Sequence, residues 1–248
     1  MSKLFSSCLI VASIIATVSM SVAQEPGVSP ATSPKITSVS KITTAQHQTI
    51  TIKGSGFGTH APYTGDSDYI AVWDCSKTHG WQAGYSGFDD TITLIVHKWD
   101  NTEIILGGFA GAWGKPHSYT IVAGNKMEIQ VWNAQTGAGP ATKTVSAVKA
   151  DTTTELTSSL NPSVYGESVT FTAVVTSSGG APADGEKVSF MNGTTVLGTG
   201  TLIGGVASFT MSTLASDTNS IRAVYHGDAD FAGTRDDEES ASLTQSVK

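Results

Sequence analysis

The amino-acid sequence predicts an all-β protein made of two consecutive β-sandwich domains. From Ile36 onwards, short runs of alternating apolar and polar residues recur along the chain. This period of two is typical of strands that bury one face. Clusters of Gly, Asn, Asp and Pro separate the runs, as expected for turns between strands. We find no stretch with the period of an amphipathic helix.

The N-terminus predicts export. Lys3 precedes an apolar stretch, and Ser21-Val22-Ala23 has the small-x-small form of a cleavage site. Residues 1–23 are therefore predicted to be a signal peptide, and cleavage would leave Cys75 as the single cysteine of the mature chain. No later run reaches the roughly 18 to 20 apolar residues that a membrane-spanning helix needs, so we expect no membrane insertion of the mature chain.

Composition divides the rest of the chain. Residues 24–34, with three prolines, are predicted to be a flexible leader. Residues 35–149 and 152–248 are predicted to be the two domains, joined by the polar residues that follow Lys149. All five tryptophans lie in the first domain. Residues 151–248 carry twelve acidic and four basic residues, a net charge of −8, which argues against a nucleic-acid partner.

Seven strands are predicted in the first domain. Ile50 with Ile52, and Met127 with Ile129 and Val131, alternate with polar residues and should face the core. The predicted strands cover residues 35–40, 48–53, 69–74, 91–99, 102–106, 126–132 and 142–148.

The second domain is also predicted to have seven strands, with clearer turns. Asn192-Gly193 and Gly204-Gly205 each suit a type I′ hairpin turn, since these residues tolerate a positive φ. The predicted strands cover residues 153–158, 168–177, 187–191, 194–201, 206–212, 220–225 and 240–247.

The second half resembles a bacterial Ig-like repeat domain of the group 3 type. The resemblance covers nearly the whole domain and implies an immunoglobulin-like sandwich, of a type often repeated in tandem in large surface proteins. It is carried by Asn161-Pro162-Ser163-Val164-Tyr165-Gly166, Gly204-Gly205-Val206-Ala207, Ala223-Val224-Tyr225-His226-Gly227-Asp228-Ala229-Asp230-Phe231 and Ser242-Leu243-Thr244-Gln245-Ser246-Val247.

The first half resembles the IPT/TIG type of Ig-like domain. It departs from that pattern in lacking glycines before the second strand and in its long segment Thr59 to Asp90. The resemblance implies a scaffold and fixes no ligand. It is carried by Ile50-Thr51-Ile52-Lys53-Gly54-Ser55-Gly56-Phe57-Gly58, Trp99-Asp100-Asn101-Thr102-Glu103-Ile104 and Glu128-Ile129-Gln130-Val131-Trp132-Asn133.

Motifs for catalysis, metals and cofactors are not found in the sequence. Gly84-Tyr85-Ser86-Gly87-Phe88 lacks the final glycine of a nucleophile elbow. The histidines, His60, His79, His97 and His117 among them, lack the spacing of a zinc site. Asp66 and Asp68 alternate as calcium ligands could, without the later glycine and glutamate of an EF-hand loop. We therefore expect no enzyme activity, no cofactor and no metal.

Three aromatic residues are the candidate ligand-binding site: Trp81, Tyr85 and Trp113. They lie in the glycine-rich stretches His79 to Gly87 and Gly107 to Gly114. A rigid aromatic ring in such a loop can stack on a sugar or anchor a protein partner. The alternative is that these rings fold back to cover a sheet edge.

The sequence therefore predicts a non-catalytic protein that is secreted, periplasmic or at the cell surface. Its expected role is structural or adhesive, with an extracellular protein or glycan as partner. The alternative is a carbohydrate-binding module that uses the three loop aromatics. A hydrolase with an unrecognised site is a third hypothesis, which a cluster of acids with shifted pKa in a cleft would favour.

Overall fold

A computed structural model describes residues 33–76, 80–87, 91–114, 119–177, 179–234 and 241–248. All named elements are strands, and their pairings are antiparallel. Internal contacts divide the chain into two compact units, the first ending at Val148 and the second starting at Lys149. The predicted all-β, tandem sandwich architecture is confirmed. The predicted signal peptide and almost all of the predicted leader lie outside the described residues.

The described residues of the first unit form nine strands. They form one sheet of order β1-β2-β7-β6-β3 and a second of order β5-β4-β8-β9. The strands are β1 (Lys35–Val39), β2 (His47–Ser55), β3 (Tyr63–Gly65), β4 (Ile70–Asp74), β5 (Trp81–Ala83), β6 (Ile92–Trp99), β7 (Glu103–Gly111), β8 (Lys126–Val131) and β9 (Ala141–Ser146).

The core of the first unit lies between its two sheets. Ile50 and Ile52 on one sheet and Met127, Ile129 and Val131 on the other are all 0% exposed, as their alternation predicts. Burying an aliphatic side chain of this size contributes about 1.5 to 3 kcal/mol. The remaining residues of these strands consequently point away from the core, which defines an outer face for each sheet.

The long segment before Asp90 contributes two short strands that the sequence did not predict, β3 and β5. β7 also continues to Gly111, five residues beyond the predicted end. Gly108 and Gly111 do not form the predicted loop, because they pair with Ile95 and Ile92 of β6. Both adopt a positive φ within that pairing, +105° and +74°. Register shifts in that pairing mark local bulges, where glycine is favoured.

In the second unit, the described part of the chain forms seven strands, in sheets of order β10-β11-β14 and β13-β12-β15-β16. Phe171, Phe190 and Tyr225 are fully buried between them. The strands are β10 (Thr153–Ser158), β11 (Val169–Thr176), β12 (Lys187–Asn192), β13 (Thr195–Thr201), β14 (Val206–Met211), β15 (Asp217–Tyr225) and β16 (Ser242–Val247).

The outer face of sheet β10-β11-β14 carries a threonine ladder, a set of hydroxyl side chains that meet across neighbouring strands. The Oγ1 atoms of Thr170 and Thr210 are 2.8 Å apart, and the hydroxyl oxygens of Thr172 and Ser208 are 3.3 Å apart. Thr153 and Thr176 form a further pair at 2.9 Å. Cross-strand hydroxyl pairs of this kind stabilise a sheet without an apolar surface.

The two predicted hairpin turns differ in outcome. Gly204 and Gly205 both have positive φ, 58° and 80°, which confirms the type I′ prediction. Asn192 instead pairs with Thr195 at the end of the strands, so the turn consists of Gly193 and Thr194. Only Gly193 has positive φ there, 56°, and the type I′ prediction for Asn192-Gly193 is therefore wrong.

Cys75 directly follows β4, and Cys8 lies outside the described residues, so the expectation of a single cysteine in the mature chain stays a prediction. Among the residues that the structure describes, no helix has the length and apolar character to cross a membrane.

Candidate functional site

Trp81, the first of the three predicted site residues, lies in the core. It begins β5, where it pairs with Asp74 of β4 while Ala83 pairs with the buried Val72. The side chain is 6% exposed and its Nε1 donates to the carbonyl of Thr120 at 3.3 Å. The predicted loop position of Trp81 is therefore wrong, since a three-residue strand between glycines is too short to show a period of two.

Trp113 lies against Trp81 at the edge of that core. Its ring stacks on Phe109, with centroids 4.6 Å apart, and meets Trp81 edge to face at 5.6 Å and 90°. Trp113 is partly buried. The two tryptophans are perpendicular, so they do not form the common flat platform that the sequence suggested. One partly exposed ring, Trp113, remains available at this position.

Tyr85 lies elsewhere, on the outer face of sheet β5-β4-β8-β9. Its ring stacks on Trp132, with centroids 5.3 Å apart and an interplanar angle of 19°. Both rings are partly buried. The structure therefore brings Trp81 and Trp113 together and places Tyr85 with Trp132, the last residue of the predicted strand 126–132.

A short turn holds Tyr85 in this position. The Gln82 amide accepts from the Tyr85 N–H at 3.3 Å and donates to the Tyr85 carbonyl at 3.2 Å. Ser67 donates its N–H to the Gly84 carbonyl at 2.8 Å and accepts from the N–H of Ser86 at 3.1 Å. Gln82 itself is only 2% exposed. The backbone around Tyr85 is thus bound on both sides, and the ring is pre-positioned.

Polar side chains of β8 lie on the same outer face. Glu128 and Gln130 alternate with the buried Met127, Ile129 and Val131, and the Gln130 Nε2 donates to the Glu128 Oε1 at 2.7 Å. Glu128 pairs in register with Trp73 and with Thr144 on the neighbouring strands. The sequence analysis missed Glu128, Gln130 and Trp132 as a set. The signal was there, because they are the polar and aromatic half of a strand whose apolar half was assigned to the core.

The other residues considered in the sequence have local structural roles. His60 packs among aromatic rings, 4.8 Å from Tyr63 and 5.8 Å from Trp99. Asp68 accepts from the Ser86 hydroxyl. Within the described ranges there is no group of three His, Cys, Asp or Glu that could hold a metal ion. His79 and His117 lie outside those ranges, as do Phe88, Asp89 and Asp90.

Five acids and tyrosines of the described residues have a perturbed pKa, and they lie at three places: Tyr63 with Asp66, Asp100, and Tyr225 with Asp230. Burial raises the pKa of Tyr63 and of Asp66. The backbone N–H of Thr102, with the Lys98 ammonium, holds the pKa of Asp100 well below its usual range. In the second unit, burial and then the neighbouring charge of Asp228 raise the pKa of Asp230. Asp100 accepts hydrogen bonds at the β6–β7 turn from the Thr102 and Glu103 backbone, each at 2.8 Å.

One pair in the second unit combines a hydroxyl with an imidazole. The Ser189 Oγ lies 2.7 Å from His226 Nε2, a contact that a nucleophile and its base would also make. Ser189 is 7% exposed, on the outer side of β12, and the bond ties that strand to the end of β15. The sequence analysis did not identify this pair, since 37 residues separate its members.

Solved structures of modular β-proteins align over most of the chain at low identity. The fibronectin(III)-like modules of CbhA from Clostridium thermocellum are 14% identical, with 87% of this chain and 94% of that chain covered and a TM-score of 0.33. The D0-D1 domain of intimin is 14% identical over 85% of this chain and 98% of that chain, with a TM-score of 0.28. FdeC, an adhesin of Escherichia coli, is 12% identical over 87% of this chain and 63% of that chain, with a TM-score of 0.29.

These alignments carry no argument about function, because their identities and TM-scores are too low. No curated protein sequence matches the chain. The family model described as bacterial Ig-like domain (group 3) matches residues 156–248, which is less than half of the chain. The resemblance of the first unit to IPT/TIG domains stays a prediction, whereas residues 156–248 of the second unit match a bacterial Ig-like domain of group 3.

Proposed function

We propose that this is an exported, non-catalytic binding protein, in which the first unit contacts an extracellular protein or glycan and the second unit is a spacer. One contrast carries the proposal. The first unit holds all five tryptophans, and the rings of Trp113 and Trp132 are partly exposed, whereas the second unit has no tryptophan. The second unit instead offers a sheet face of paired threonines.

Within the predicted site, the three aromatics take different parts. Tyr85 and Trp113 are the residues that contact the partner, since both rings are partly exposed. Trp81 supports Trp113 from the core through the edge-to-face contact at 5.6 Å. Rigid aromatic rings of this kind are frequent anchors at binding surfaces, because they bury a large area for a small loss of conformational entropy.

The spacer role of the second unit is supported by its composition and its internal bonds. Residues 151–248 hold twelve acidic residues against four basic ones, and like charges favour an extended, soluble surface. The match of residues 156–248 to the bacterial Ig-like domain of group 3 agrees with a scaffold role. Ser189 and His226 fit this role as a bond between strands.

The positions of the acidic residues favour glycan binding over glycan hydrolysis. Asp100 stabilises a turn, and Asp66 and Asp230 belong to different units. A glycosidase needs two carboxyl groups within about 10 Å across one bond of the substrate. Here hydrogen bonds at a turn explain the lowered pKa of Asp100, and burial explains the raised pKa of Asp66 and of Asp230.

A binding experiment with the full-length mature protein tests whether the first unit binds the partner and the second unit is a spacer. We expect Trp113→Ala to weaken capture of the extracellular partner, in a glycan array and in a pull-down from the native host's surface fraction. Tyr165→Ala is the matched control, because Tyr165 is 64% exposed and lies in the second unit. Loss of capture with the Tyr165 variant and not with the Trp113 variant would contradict the proposal.

Export has its own test. Intact-mass analysis of protein from the native host should show removal of residues 1–23. A mature protein that retains Met1 to Ala23 would contradict cleavage.

A further inference from the structure

The outer face of sheet β5-β4-β8-β9 combines aromatic rings with hydrogen-bonding groups. Tyr85 and Trp132 form the stacked pair, and Glu128 and Gln130 form the bonded polar pair. Ala71 also points outward, since it pairs with Gln130, yet it is 0% exposed. Its neighbours on this face therefore close over it, which makes the rings and the polar pair one continuous layer.

The register places these groups within reach of one oligosaccharide chain. Neighbouring strands lie about 4.8 Å apart, and residues two positions apart on one strand about 7 Å. Gln130 is two residues from both Glu128 and Trp132, and it pairs with the exposed Thr142 of β9. A sugar ring about 5 Å across that lies against the Trp132 indole can meet the Gln130 amide, and the next ring of an oligosaccharide can meet the Glu128 carboxylate, about 14 Å from Trp132 along the strand.

The chemistry of the face favours a neutral sugar over other ligands. A pyranose ring has an apolar C–H face that stacks on an aromatic ring, and hydroxyls at its rim that bond to amides and carboxylates. The Glu128 carboxylate disfavours acidic sugars and nucleic acid. A stable protein interface needs about 800 Å² per partner around an apolar centre, whereas here the partly buried rings of Tyr85, Trp132 and Trp73 border charged and amide side chains.

We propose that the outer face of sheet β5-β4-β8-β9 binds neutral pyranose oligosaccharides, with Trp132 and Tyr85 as the aromatic contact and Glu128 and Gln130 as the hydroxyl-binding pair. The inference rests on the proposed function, that the first unit is the binding unit, and it names the ligand class and the surface. Gln82 is a positioning residue, because its amide holds the backbone of Tyr85 at 3.2 and 3.3 Å.

Calorimetric titration of the full-length protein with defined hexasaccharides tests the site. The probes are β-1,4-linked hexamers of glucose, mannose, xylose and N-acetylglucosamine, with a hexamer of galacturonic acid as the acidic comparison. We expect at least one neutral hexamer to bind. Trp132→Ala should lower its affinity about 30-fold, the scale of an aromatic anchor, and Glu128→Gln about tenfold.

Thr142→Arg keeps the test independent of folding. Thr142 is exposed on β9, so a long side chain there covers the face without disturbing the core. It should lower the affinity at least tenfold at an unchanged melting temperature, an estimate from the loss of one anchor contact. Tyr165→Ala, in the second unit, should leave the affinity within about twofold.

The outcomes separate the two proposals. Neutral-sugar binding that survives Trp132→Ala and Thr142→Arg but is lost in Trp113→Ala would overturn this site and leave the proposed function intact. Absence of binding to every neutral hexamer at millimolar concentration, or capture of a protein in their place, would overturn the sugar assignment. Binding lost only through Tyr165→Ala would overturn both.

Discussion

The two units use the same architecture with different outer faces. Sheet β5-β4-β8-β9 of the first unit and sheet β10-β11-β14 of the second each bury one side in a core of Ile, Val, Phe and Met or Ala. On the opposite side, the first sheet displays Tyr85, Trp132, Glu128 and Gln130, and the second displays paired hydroxyls. The core fixes the fold, and the residues that alternate with it are free to specify the function.

The largest expected effect separates core aromatics from face aromatics. Trp81→Ala should lower the free energy of unfolding of the first unit by about 3 to 5 kcal/mol, because it removes a buried ring that contacts Phe109 and Trp113. Phe190→Ala, at a fully buried position, should do the same to the second unit. Calorimetry of the full chain should show each unit's transition shift alone. A Trp81 variant that melts normally but fails to bind would break the distinction between core and face.

Substitution of a turn glycine by alanine should lower the stability by a smaller amount, and by different amounts in the two units. Gly84 has φ of +87°, and a Cβ there would lie 2.3 Å from Leu94 Cδ1. Gly84→Ala should cost about 2 to 4 kcal/mol through strain and overpacking, and should displace Tyr85. Gly204 has φ of +58° with open space around it, so Gly204→Ala should cost about 1 kcal/mol. Urea midpoints would measure both, and equal losses would mean that the Leu94 contact relaxes freely.

The contributions of Asp100 and Asp230 to the free energy of unfolding should change with pH in opposite directions. The pKa of Asp100 is lowered by the Thr102 N–H, so its stabilisation is present above the usual carboxyl pKa and is lost as the pH falls below it. The pKa of Asp230 is raised by burial, so the wild type gains stability as the pH falls from neutral through that raised pKa.

Melting curves from pH 7 to pH 3 of Asp100→Asn and Asp230→Asn would measure this. Relative to wild type, the Asp100 variant should be less stable at pH 7, with the difference shrinking in acid. The stability of the Asp230 variant should fall relative to that of the wild type as the pH falls. Parallel curves for the two variants would show that these carboxyls titrate alike in the folded and unfolded chains.

The smallest expected effect is that of chelation. Neither unit has a group of three possible metal ligands among its described residues. EDTA should leave both melting transitions within about 1 °C of their original positions. A fall of more than about 5 °C in either unit, on the order of 1 kcal/mol, would reveal a metal site.

The fold was largely predictable because it depends on alternation, which a single strand of six or more residues reveals. The predicted strands of the second unit match β10 to β16 to within a few residues, because apolar runs such as Val169–Thr176 are long and bounded by turn residues. The pattern could not reveal β5, whose three residues show too little of a period. It also could not fix the turn at Gly193, where one residue of register decides the turn type.

The candidate site was less predictable, because the local alternation of apolar and polar residues does not indicate which distant residues are in contact. Trp81 and Trp113 are 32 positions apart and yet perpendicular neighbours, and Tyr85 and Trp132 are separated by 47 positions and stacked. Glycine-rich surroundings indicated loops for all three predicted residues. Pairing of β5 with β4 turned one of them inward instead. Register between strands, which a single sequence does not specify, decided the outcome.

The threonine ladder has a consequence for molecules held close together. Its hydroxyls already serve as donor and acceptor for one another across the strands, at 2.8 to 3.3 Å. A second copy of the sheet therefore finds no row of unpaired hydroxyls to bond along these pairs. The apolar part of the face along β11 and β14 is Val174 and its partner Val206, which is 38% exposed, so association between copies through this face should depend on that valine pair.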